Sequence, residues 1–185
     1  PLQTKIKPFF DSIEFSDVQS IQPFPPFPPW ERRNLIVNTD LTKYENKQSN
    51  PLAIKTSALL LIESFPDSIH IYTDASKHTD GKVGIGLFAT SHQPISPQNA
   101  SISLRLSDNN TIFTSELTAI RYALQTIHHF ETDTNDTGSQ KFVIFSDSLS
   151  SLKALSSQHS PSRPVLLNET LELYYKLNSE ISFVW

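Results

Sequence analysis

From Ser68 onward the alternation of apolar and polar positions becomes regular. "SIHIYTD" (68–74) sets Ile69, Ile71 and Thr73 against His70, Tyr72 and Asp74, the two-residue period of a strand. "KVGIGLFAT" (82–90) reads as a second strand, joined to the first by a short polar turn containing Asp80 and Gly81, and "ASISLRLS" (100–107) alternates strictly as a third. The rhythm then changes. "FTSELTAIRYALQTIHHF" (113–130) places Leu117, Ile120, Leu124 and Ile127 on one helical stripe, and "TDTNDTGSQ" (132–140) is a loop. "KFVIFSD" (141–147) is a continuous apolar run of the fully buried kind, followed by a short helix, "SLSSLKALS" (148–156). A further helix from about Pro164 to Asn178 leads to the alternating strand "ISFVW" (181–185). Three meander strands, then helix, strand, helices and strand predict an α/β domain with a mixed five-stranded sheet and helices packed on it.

Before Ser68 the pattern is less regular. Nine of the 13 prolines fall in residues 1–66, most densely in "QPFPPFPPW" (22–30). Proline locks φ and lacks the N–H that a ladder needs, so this stretch is neither helix nor central strand. A polyproline ligand is one reading; a stiff spacer or extended arm, its Phe and Trp packed on a neighbouring domain, is the favoured one. "NLIVNTD" (34–40) is a possible strand, and a possible helix runs from Pro51 through "LAIKTSALLLIESF" until Pro66 closes it. The expected organisation is therefore a Pro-rich connector with a short strand and helix over residues 1–67, and a single domain over 68–185.

Composition narrows the function classes. With 185 residues, 37% hydrophobic and 18% charged, the chain has material for one core, and its longest apolar run, Ala58–Ile62, is far too short to span a membrane. Zero cysteines exclude disulfides, thiolate chemistry and Cys-ligated zinc, and fit an intracellular setting, nucleus or cytoplasm. The chain starts at Pro1 and contains no Met, so it is expected to be a piece of a longer polypeptide. A net charge of −4 predicts weak nucleic-acid binding by this piece alone.

Three carboxylates stand at predicted element ends. Asp74 ends the first strand, Glu116 lies in the first turn of the long helix, and Asp147 sits where the buried strand meets the short helix. Each has an ordinary structural explanation: turn residue, dipole partner and N-cap respectively. Consecutive central strands and the helix between them nevertheless bring all three to one region of the sheet. Like charges crowded there repel unless a cation or a shared proton offsets them. Oxygen-only ligation, with no Cys and no His at ligand spacing, points to Mg²⁺ or Mn²⁺, and Mg²⁺ prefers to share its shell with phosphate.

The words "YTDAS", "TSELTAIRYAL" and "VIFSDSLSSLKAL" occur in that order, with 42 residues from Asp74 to Glu116 and 31 from Glu116 to Asp147. In this, residues 68–185 resemble the type 1 ribonuclease H domain, most closely the one that follows the reverse transcriptase in non-LTR retrotransposons. The resemblance implies hydrolysis of the RNA strand of an RNA–DNA hybrid by two Mg²⁺ or Mn²⁺ ions roughly 4 Å apart. It makes Asp74 the carboxylate bridging both ions, with Glu116 and Asp147 completing the shell of the leaving-group ion. It also implies a reverse transcriptase domain of the same polyprotein as partner. Ser76, Lys77, Gly84 and Ser148 are expected to meet the nucleic acid, small residues such as Gly84 and Gly86 letting its backbone approach.

Departures from the family pattern are Ala75 in place of the common Gly, and Phe113 and Leu149 where many members carry amide side chains. In the family, the strand matching "ISFVW" leads to a histidine loop and a helix with a fourth acid, so this piece is expected to lack its C-terminal end and to be a very weak or inactive nuclease. Glu180 or Asp108 could stand in as the fourth carboxylate. Two alternatives remain: a non-catalytic or decayed module of the same fold, and an integrase or transposase core, for which Glu169 or Glu172 would be the late acid.

Overall fold

The computed structural model describes residues 28, 30, 32–44, 50–91, 100–134 and 140–185. Most of the "QPFPPFPPW" segment, and with it the reading as a spacer or arm, lies outside these residues; of its aromatic side chains Trp30 is described, and it is 82% exposed. In chain order the elements are β1 (Ile36–Asn38), a 3₁₀ turn (Asp40–Tyr44), α1 (Pro51–Glu63), β2 (Ser68–Lys77), β3 (Val83–Ser91), β4 (Ala100–Leu106), α2 (Ile112–Thr134), β5 (Lys141–Ser146), α3 (Leu149–Ser157), α4 (Pro164–Lys176) and β6 (Glu180–Val184). The strands form one mixed sheet in the order β1-β6-β5-β2-β3-β4. The α/β architecture expected from the pattern is present, with six strands where five were expected. The sixth is β1, from the segment read as connector, which pairs in parallel with β6 through Ile36–Ser182, Val37–Phe183 and Asn38–Val184. A three-residue run carries too little pattern to announce its partner, and β6 would otherwise present an open edge.

Register sorts each strand's residues between two faces. Ile71 lies opposite Ile144 and Ala89, Ala75 opposite Ile85, and Ile144 opposite Phe183, so these residues share one face. Against it α2 lays Leu117, Ile120, Leu124 and Ile127, all fully buried, joined by Leu152 and Leu155 of α3 and Leu167 and Leu171 of α4. Buried Glu131, near the end of α2, accepts hydrogen bonds from the Asn178 and Ser179 N–H groups and the Ser179 hydroxyl, tying the helix to the start of β6. β4 alternates as strictly as β2 yet stays largely exposed, because it is an edge strand.

The second face carries His70, Tyr72 and Asp74 of β2, Phe145 of β5 and Val184 of β6. Phe145 stacks on Tyr72 with ring centroids 5.0 Å apart and meets Phe65 edge-on at 6.4 Å. Across a cavity of about 350 Å³ this face looks onto Leu41 and onto Ala58, Leu61 and Ile62 of α1. The segment before β1 is also pinned at α4: Arg33 donates to the carbonyls of Tyr174 and Leu177 and lies over the Tyr174 ring at 5.3 Å. Among the described residues no helix is long and apolar enough to cross a membrane.

Candidate metal centre

Each ordinary explanation for the three acids fails on the local structure. Asp74 does not end its strand. β2 continues to Lys77, because Ala75, Ser76 and Lys77 keep the antiparallel ladder with Ile85, Gly84 and Val83. What stops there is the other ladder: β5 pairs with β2 only as far as Thr73–Ser146. Asp74 therefore projects from a rigid strand just where its neighbour strand has ended. Glu116 is not in the first turn, since α2 starts at Ile112 behind Thr111, whose hydroxyl accepts from the Thr114 N–H at 3.1 Å. It sits a turn deeper, 6% exposed. Asp147 is not the N-cap of α3; Ser148 is, accepting from the Ser151 N–H, and the Asp147 carboxylate is left out of the cap.

One carboxylate oxygen from each of Asp74, Glu116 and Asp147 lies within 4.8 Å of the others. Asp74 and Asp147 are exposed and Glu116 is buried beneath them. Glu116 accepts a hydrogen bond from the Ala75 N–H, while its Oε2 is buried without a partner. Burial first, then the Asp147 and Asp74 charges, push the Glu116 carboxyl up to about 7. Among the described residues no Lys, Arg or His forms an ion pair with any of the three. Three convergent carboxylates, one with an unpartnered buried oxygen and none with a cation, are a donor set suited to a hard divalent ion.

The other acids weighed for this chemistry are elsewhere and occupied. Asp108 pairs with Arg105 at 2.5 Å, Glu169 with Arg121 at 3.4 Å, Glu172 with Lys176 at 2.6 Å and Glu180 with Lys141 at 3.2 Å. Among the described residues, then, the acidic group comprises three carboxylates.

Of the residues expected to meet nucleic acid, Ser76 and Gly84 line an open groove of about 480 Å³ with Asp74 at one end. Gly86, directly opposite Asp74, lines it too, with Ser103 and Arg105 of β4. A Cβ on Gly86 would meet nothing within 4 Å, and its ladder pairing is continuous, so neither packing nor a bulge accounts for this glycine. At Gly84 a Cβ would come 3.4 Å from the Leu104 carbonyl, so packing there remains a sufficient reason. Lys77 is exposed and donates to the Asn110 carbonyl at 3.1 Å, and the Ser148 hydroxyl is engaged in its cap with Ser151. Arg105 and Ser103 were not legible as groove residues, because an alternating edge strand reveals its partner only once paired.

No protein-family model and no curated protein sequence matches the chain. Among solved structures, the chain is similar to the crystal structure of RNase H1 from the halophilic archaeon Halobacterium salinarum NRC-1, at 16% identity over 64% of this chain and 83% of that one, with a TM-score of 0.43. It is similar to the solution structure of the PFV RNase H domain, at 15% identity over 63% of this chain and 78% of that one, with a TM-score of 0.47. The crystal structure of prototype foamy virus protease–reverse transcriptase is similar at 17% identity over 64% of this chain, with a TM-score of 0.47, and there the match covers 18% of the longer chain. At such identities a reading of the site has to rest on the carboxylate geometry of this chain.

Proposed function

We propose that residues 68–185 form a metal-dependent ribonuclease H-like domain that hydrolyses the RNA strand of RNA–DNA hybrids, with Asp74, Glu116 and Asp147 holding Mg²⁺ or Mn²⁺. The observation that carries the reading is the convergence of the three carboxylates within 4.8 Å, each freed from the structural role its sequence position suggested. When bound, divalent ions supply an activated water and neutralise charge on the leaving 3′ oxygen. The chain's own residues supply position. β2 fixes Asp74 through its continuous ladder with β3, the β5 ladder ending one residue before it, and the Ala75 N–H orients Glu116. The floor at Gly84 and Gly86 leaves room for a sugar-phosphate backbone beside Asp74. Ser76 and Gly84 line that path, and selection of the hybrid comes from duplex shape and 2′-hydroxyl contacts. From the sequence resemblance, the proposed partner is a reverse transcriptase domain of the same non-LTR-type polyprotein.

The test is a hybrid carrying a label on each strand, incubated with protein and Mn²⁺, alongside single-stranded RNA and duplex DNA. Weak, RNA-strand-selective cleavage of the hybrid is expected, lost on chelation and in Asp74→Asn. Equal cleavage of both strands, or activity that survives Asp74→Asn, overturns the proposal. Hybrid binding without cleavage in any divalent metal favours the non-catalytic module.

A further inference from the structure

The Asp147 carboxylate is useful only if its backbone is held, and the sheet does not hold it. The β5–β6 ladder stops at Phe145–Val184 and the β5–β2 ladder at Ser146. Asp147 lies beyond both, in the single step between the strand and the cap of α3. Its carbonyl accepts a local bond from the Leu149 N–H at 3.2 Å. From outside its own turn, among the described residues, the bond it receives is from the indole Nε1–H of Trp185, at 3.1 Å. The backbone N–H of the same tryptophan donates to the Asn38 carbonyl of β1 at 3.0 Å. Trp185 is thus hydrogen-bonded on one side to the connector strand and on the other to the residue bearing a candidate metal ligand. Its ring also lines the cavity that Asp74 and Asp147 border.

We propose that Trp185 is the positioning residue of the acidic centre: its indole N–H holds the Asp147 backbone in the place where the three carboxylates can share an ion, and through β6 and β1 it couples that centre to the connector. The inference rests on the reading that Asp74, Glu116 and Asp147 bind a divalent ion. Partners that orient a ligating residue set affinity because ligand atoms must be held to within a fraction of an ångström. The donor comes from a side chain at the far end of the sequence, so the coupling exists only in the folded sheet.

The chain has two tryptophans, and Trp30 is 82% exposed, so Trp30→Phe leaves Trp185 as the single emitter. Titrating that variant with Mg²⁺ should shift Trp185 emission along the same saturation curve as calorimetric binding, with no response after Asp74→Asn. In the full chain, Trp185→Phe keeps a ring and removes the donor; its Mg²⁺ affinity should fall about tenfold while circular dichroism of the metal-free protein is unchanged. Should Trp185→Phe not fold, the emission titration decides alone. Asp74-dependent Mg²⁺ binding with silent Trp185 emission, or with undiminished affinity in a folded Trp185→Phe, overturns the positioning role and leaves the metal reading standing. Absence of Asp74-dependent Mg²⁺ binding overturns both.

Discussion

Glu116→Gln separates a carboxylate kept for metal from one kept for structure. The folded protein holds the Glu116 proton up to about pH 7, whereas the free side chain loses it near 4.5. A folded-state pKa above the unfolded one means the unfolded chain releases its proton first as pH rises. Stability therefore falls between about 4.5 and 7, the cost being absent below this window and fully developed above it. At about 1.4 kcal/mol per pH unit the upper bound is about 3 kcal/mol, and since water reaches the site past exposed Asp74 and Asp147 we take about 2 kcal/mol. Gln is neutral throughout and can still accept the Ala75 N–H, so it removes this cost without removing the hydrogen bond. In thermal unfolding with chelator present, Glu116→Gln should match wild type at pH 4.5 and melt about 4–8 °C higher at pH 8. Saturating Mg²⁺ should close the gap at pH 8, because wild type gains from the ion and the variant gains less. A Gln variant that is less stable by the same amount at both pH values would refute the reasoning, and would make Glu116 a buried acceptor for Ala75 with no electrostatic conflict to relieve.

Two further outcomes follow from the groove and the connector. Gly86→Val should leave the fold as stable or raise it by about 0.5–1 kcal/mol, since a strand interior gains from losing glycine and no atom opposes its Cβ, yet it should cut hybrid cleavage at least tenfold by filling the path beside Asp74; a variant with wild-type cleavage would move the substrate off this groove. Arg33→Ala removes the donor to the Tyr174 and Leu177 carbonyls and the cation over the Tyr174 ring, and should lower stability by about 2 kcal/mol in denaturant unfolding. An unchanged midpoint would mean that residues 32–44 rest on the domain without contributing to it.

The proposed ribonuclease activity also has to meet the charge balance. The chain carries −4 overall, and Lys82 and Arg105 beside the groove are paired with Asp80 and Asp108. Phosphates entering the groove compete with these acids for the two cations. Affinity for a hybrid should then be set by few free charges and fall only shallowly with salt.

The sequence by itself determined what depends on neighbours a few residues away. The two-residue alternation of Ile69, Ile71 and Thr73 and the helical stripe Leu117, Ile120, Leu124 and Ile127 settled element type and order, since side chains return to one face of a strand or helix with those periods. The three acids were visible because their residue types and spacing are local facts. Their convergence on a metal could be read only as an expectation, because each had a local excuse that only long-range pairing removes. β3 extends β2 past Asp74, Thr111 starts α2 early enough to bury Glu116, and Ser148 takes over the cap from Asp147. The sixth strand and the Trp185–Asp147 bond are likewise tertiary: Ile36–Asn38 is too short to signal a partner, and an indole donor 38 residues from its acceptor has no periodicity to betray it. Hydrophobic period is written along the chain, whereas which strand ends beside which carboxylate is decided when the sheet assembles.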